Sequence, residues 1–181
     1  MPVIITEPNR RIDASQIAEF EAMLKQKLPD DFREFLLQSN GGRAAENSHP
    51  APDPVDEIDV SSFFGILDQQ DYGDLRYMRD LMIDRVPDNM LPIADSEGGN
   101  MVLLSLRPDT YGQVFYWDHE RESNEGEPPT FSNIVKVNRS FKKFVEDLHP
   151  PEPETLPKFK VLRVRDHAEI QADLNSKNKK Q

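Results

Sequence analysis

Apolar residues recur at helical spacing twice near the start of the chain. Ile17, Phe20 and Leu24 stand between Glu19, Glu21 and Lys25, the stripe of an amphipathic helix. Asp13 with Gln16 three residues on has the form of a capping box and marks its start. A second stripe, Phe32, Phe35 and Leu36, follows Pro29, which suits a first helical turn, and Asp30 and Asp31, which suit the positive end of the helix dipole. Asn40-Gly41-Gly42 ends that helix, and two helices joined so tightly should pack as a hairpin. Residues 43–54, with three Pro and an Asn-Ser-His cluster, read as a loop.

The pattern then changes to strands. Val55, Ile58, Val60 and Phe63-Phe64 form one with imperfect alternation. After a turn at 71–74, Leu75, Met78, Leu81, Met82 and Arg85 predict a helix stopped by Pro87. Leu91 to Ala94 is a short strand, and Asp95-Ser-Glu97-Gly-Gly-Asn100 is a turn. The runs 101–106 and 113–118, separated by a segment with Pro108 and Gly112, read as an antiparallel hairpin. After a charged loop over 119–129, Ile134 to Val137 is a last strand. Asn138 is placed to cap a helix that buries Phe141, Phe144, Val145 and Leu148. Pro150, Pro151, Pro153 and Pro157 end the compact region. Residues 150–181 read as a Pro-rich linker and a basic, partly disordered extension, with one added strand at 159–164 and a weak helical pattern at 166–174.

Composition narrows the function classes. The 181 residues carry a net charge of −11, and no cysteine is present, which removes disulfides, thiol nucleophiles and thiolate zinc sites together. No apolar run approaches the ~20 residues of a membrane span, and the first residues lack a signal peptide's basic flank, so the expectation is a cytoplasmic protein without a membrane role. The charge is uneven. Residues 158–181 hold seven basic and three acidic groups, whereas 44–75 hold eight acidic groups and no Lys or Arg. Such a surface repels phosphate backbones and attracts basic proteins. The basic tail could fold back on the body, stay solvated or touch nucleic acid.

Four strings carry a resemblance. They are Leu28-Pro-Asp-Asp-Phe-Arg-Glu-Phe-Leu36 ending in Asn40-Gly-Gly42; Leu91-Pro-Ile-Ala-Asp95 with Gly98-Gly-Asn100; Val114-Phe-Tyr-Trp-Asp118; and Val137-Asn-Arg-Ser-Phe141 to Phe144 with Leu148. In this order, over roughly residues 15–148, the chain resembles the SUKH superfamily, also called the Smi/Knr family. The resemblance implies an α+β fold with a single mainly antiparallel sheet packed by helices, a domain over 1–149, and no enzymatic activity. It also implies a protein partner: bacterial members are typically immunity proteins that neutralise a cognate toxin, often a nuclease or deaminase, whereas fungal members are scaffolds in signalling. The chain departs from the pattern in the long acidic stretch 43–74, in the extension after His149, and at Asn138-Arg139.

No residue set demands catalysis, a cofactor or a metal. Asp95 and Glu97 sit on a Gly-Gly turn, where local hydrogen bonds explain them; the 95–100 string lacks the Glu an EF-hand loop needs. Asp118-His119-Glu120 has ligand residue types, but neighbours on a strand end point to opposite faces. A metal-assisted hydrolase on Asp95, Glu97 and His119 is the enzymatic alternative. The expected mechanism is occlusion of a basic toxin domain by an acidic face drawn from Asp56, Glu57, Asp59, Asp68, Asp71, Asp74, Asp95, Glu97 and Asp118, with Tyr116 and Trp117 as anchors. A scaffold binding an endogenous partner is the second reading.

Overall fold

The computed structural model describes residues 4–151. The strand and helix expected in the C-terminal extension lie outside the described residues. The N-terminal helices form as their sequence dictates. In α1 (Ala14–Leu24) both halves of the capping box are made: Asp13 accepts from the Ser15 and Gln16 amides, and Gln16 reaches back to the Asp13 amide. In α2 (Asp30–Ser39) Asn40 itself takes the left-handed conformation that closes the helix. Glu21 is buried where the two helices meet, accepting from the Leu28 amide at 3.0 Å, from Lys27 and from Arg33. Burial pushes its carboxyl up, but the bonds from Arg33, Lys27 and Leu28 outweigh that and hold it at about 2.

The strands are β1 (Ile5–Pro8), β2 (Gly42–Ala44), β3 (Ser48–Pro50), β4 (Glu57–Phe63), β5 (Met90–Ser96), β6 (Met101–Ser105), β7 (Val114–Trp117) and β8 (Ile134–Asn138). They form one antiparallel sheet in the order β1-β2-β4-β5-β6-β7-β8, with β3 paired to β4. The fold is therefore α+β with a single antiparallel sheet and helices packed on it. The expected 101–118 hairpin is β6–β7.

Three expectations are corrected. The stretch 43–54 is not all loop, because β2 and β3 lie within it and β1 precedes α1; strands of three or four residues are too short to show alternation. The helix α3 (Leu75–Leu81) ends before Arg85: turns follow, and Asp84 is left-handed. The last helix, α4 (Phe141–Glu146), is capped by Ser140 and not by Asn138, which lies in β8 and donates to Asp147 at 3.0 Å.

Helices α2 and α4 cover one face of the sheet. Phe35 lies 5.1 Å from Phe63 of β4 and 5.0 Å from Phe141, and Phe32 lies 4.9 Å from Phe141 between ring centroids. Asn40 locks this layer to the strand exit, since its side chain bonds the Ile66 amide and carbonyl at 2.8 Å each. A Cβ at Gly65 would stand 2.0 Å from the Asn40 carbonyl, so only glycine permits this crossing.

Candidate functional site

Neighbouring strand residues face opposite ways, and ladder partners share a face. Phe63 pairs with Ala94 on the helix-covered side; Ser62, Asp95, Met101, Trp117 and Ile134 are successive partners in a row on the other side. Along β4, Ile58 and Val60 are buried while Glu57 is exposed and Asp59 half-buried. Asp59 accepts from Asn47, and its carbonyl accepts from the Ser96 hydroxyl at 2.6 Å.

The antiparallel register brings the start of β4, the end of β5 and the end of β7 to one margin of the sheet. Six of the expected acidic residues lie along it, on both faces: Asp56, Glu57, Asp59, Asp95, Glu97 and Asp118. Asp56 and Glu57 are exposed, Glu57 with His149 at 3.8 Å. Glu97 is exposed in a single 3-10 turn. Asp118 is half-buried and caps the next turn, accepting from the Glu120 amide at 3.0 Å, with Arg121 at 3.4 Å. Asp95 is also half-buried. Burial pushes its carboxyl above the usual range, against the bonds from the Ser62 amide at 2.7 Å and the Tyr72 hydroxyl at 3.3 Å.

The Tyr72 bond ties this margin to the loop between β4 and α3. Asp71 and Asp68 are exposed on that loop, Asp68 paired with Arg10 at 2.6 Å. Asp74 is different. It is wholly buried and caps α3, accepting from the Arg76 amide at 2.9 Å, the Tyr77 amide at 3.1 Å, the Leu67 amide at 2.8 Å and the Arg76 guanidinium. Such a residue organises the loop and presents nothing to a partner.

Tyr116 and Trp117 are also corrected as anchors. Trp117 is fully buried and Tyr116 only 8% exposed. The Arg85 guanidinium lies 5.1 Å from the Trp117 ring, and Arg85 makes two 3.0 Å bonds to Glu122, which also lies 3.2 Å from His119. This knot pins the segment after β7 over the indole. His119 faces Glu122 through Nδ1, while its amide bonds the Asn100 side chain at 2.8 Å, which sets it beside the 97–100 turn. No group of three or more His, Asp or Glu side chains among the described residues is arranged to hold a metal ion.

The large exposed apolar side chains lie elsewhere. Tyr72, Tyr77, Leu81 and Ile83 follow one another along the loop and α3. Helical periodicity reads Leu81 as core. It is exposed because Leu75, Met78 and Met82 already complete the buried stripe. No helix among the described residues is long and apolar enough to cross a membrane.

The chain is 26% identical over 155 residues to the SPbeta prophage-derived uncharacterized protein YokK of Bacillus subtilis (strain 168), covering 74% of this chain and 72% of that protein. The SMI1 / KNR4 family (SUKH-1) matches residues 11–147, from just before α1 to the end of α4, and the chain belongs to that family.

Proposed function

We propose that this chain is a non-enzymatic binding module that acts as an immunity protein, neutralising a basic toxin domain of nuclease or deaminase type by covering its substrate channel. The observation that carries this reading is the placement of carboxylates at the start of β4, the end of β5 and just after β7 along one sheet margin, continued by Asp68 and Asp71 on the adjoining loop. Opposite potentials steer association, so such a margin would raise the encounter rate with a cationic partner. Membership in the family and likeness to a prophage-derived protein support a role in conflict between bacteria or their viruses. The action would be cytoplasmic, where an incoming toxin would meet its target.

The test is co-expression. The product of the reading frame adjacent to this gene should arrest growth when expressed alone and should not do so beside this chain. Reversing Asp59, Asp71 and Glu97 to Lys should slow association by at least about tenfold and flatten its salt dependence. A partner that binds without any toxicity of its own would favour the scaffold reading; unchanged kinetics in the triple variant would remove the acidic margin from the mechanism.

A further inference from the structure

Among the described residues, large exposed apolar side chains cluster along one stretch of the chain. Of nine large apolar side chains exposed among the described residues, four fall within residues 72–83: Tyr72 at 58%, Tyr77 at 40%, Leu81 at 43% and Ile83 at 52%. Tyr77 and Leu81 are four apart on α3 and so lie on one face of it. Exposed carboxylates flank them, Asp68 and Asp71 before and Asp84 after, with Asp80 between Tyr77 and Leu81; Asp68 pairs with Arg10 at 2.6 Å. The two cations in the stretch are occupied, Arg76 by Asp74 at 2.7 Å and Arg79 by Asp80 at 2.8 Å.

The stretch is also held in shape. Asp74 caps α3, and Leu75, Met78 and Met82 anchor it to the core. The Tyr72 ring packs edge-on against Phe64 at 6.1 Å while its hydroxyl bonds Asp95. A surface already ordered before contact loses little entropy on binding, and tyrosines ringed by polar groups are the residues that dominate interface energetics.

From this juxtaposition we propose that the α3 ridge, Tyr72 to Ile83, is the energetic centre of the partner interface, and that it seats in an apolar depression rimmed by Lys or Arg on a basic protein. This rests on the protein-binding reading above and locates its contact. A second copy of this chain is the poorer occupant. A two-fold contact through the ridge would bring Asp71 and Asp84 of one copy towards the same carboxylates of the other, which like charges oppose.

The experiment uses the full chain and the product of the adjacent reading frame as probe, read by titration calorimetry, with sedimentation velocity on the chain alone. Tyr77→Ala with Leu81→Ala should weaken binding by about 100-fold or more while leaving the unfolding midpoint within error. Leu37→Ala and Tyr111→Ala, exposed residues away from the ridge, should change affinity less than about threefold. Asp80→Lys with Asp84→Lys should slow association. Unaltered affinity in the ridge variant overturns the assignment and leaves the immunity reading standing; equal loss in the control variants also overturns it. Failure of the unmodified chain to bind the probe overturns both. Self-association abolished by the ridge variant would give the surface to a second copy and overturn the assignment.

Discussion

Replacing Asp74 with Ala should cost more than any other single change among the acidic residues. The carboxylate is wholly buried and has partners on every side. Loss of the helix cap to the Arg76 and Tyr77 amides costs about 1 kcal/mol. The Leu67 amide, otherwise unpaired, adds about 1–3 kcal/mol. The Arg76 side chain is 25% exposed and regains only part of its hydration, so the total falls at about 3–5 kcal/mol. Asn keeps an acceptor for the cap but not the charge, and should cost about half as much. Urea unfolding of the full chain measures this as a lower midpoint at unchanged slope. Burial pushes the Asp74 carboxyl up, yet the bonds from Arg76, Leu67 and Tyr77 hold it below its ordinary 3.8. Its contribution is therefore complete above pH 3.8 and lost as pH falls through the folded value, so the gap between wild type and Asp74→Asn should narrow below that pH. A loss under 1 kcal/mol for Asp74→Ala, or a gap that does not change with acid, would refute this assignment of roles.

Two further outcomes follow from other buried groups. Glu21, held at about 2 against an ordinary 4.5, contributes up to about 3 kcal/mol that is present above pH 4.5 and lost between about pH 5 and 2; Glu21→Gln should destabilise at pH 7 and converge with wild type near pH 2 in thermal melts. His49 stacks on Phe144 at 4.5 Å, and burial lowers its pKa against the pull of the Pro50 carbonyl and Asp147, with His149 and Lys143 adding to the lowering. Because its pKa is lower in the fold than in the unfolded chain, the protein loses stability as pH drops below 6.5, and His49→Gln should flatten that decline; an unchanged slope would exclude His49 as its source.

What could be read in the sequence was local. The capping box at Asp13 and Gln16 and the apolar stripes of α1 and α2 are fixed by residues within a few positions of each other, and they formed as expected. The strands β1 and β2 are defined by partners far along the chain, such as Ile5 with Ala44 and Gly42 with Phe63, and β3, though paired with nearby β4, is only three residues long; none leaves a periodic trace. The same distinction separates the site residues. Asp74 could be placed at a helix entry from its position before Leu75, but its burial depends on Leu67 and Arg76 folding over it. Trp117 and Tyr116 alternate as strand residues do, and both are buried because the second face of the sheet is covered as well, with Arg85 and His119 against the indole. The ridge on α3 is illegible in the sequence for the converse reason, since Leu81 fits a helical stripe that Leu75, Met78 and Met82 already fill.

Hydrogen–deuterium exchange of the full chain, with and without the product of the adjacent reading frame, tests most directly whether this protein works by surface contact. Slowed exchange in residues 57–62, 68–84 and 95–100, with α1 and α2 unaffected, is the predicted pattern. Protection confined to α1 and α2, or none at all in a complex that forms, would contradict the account.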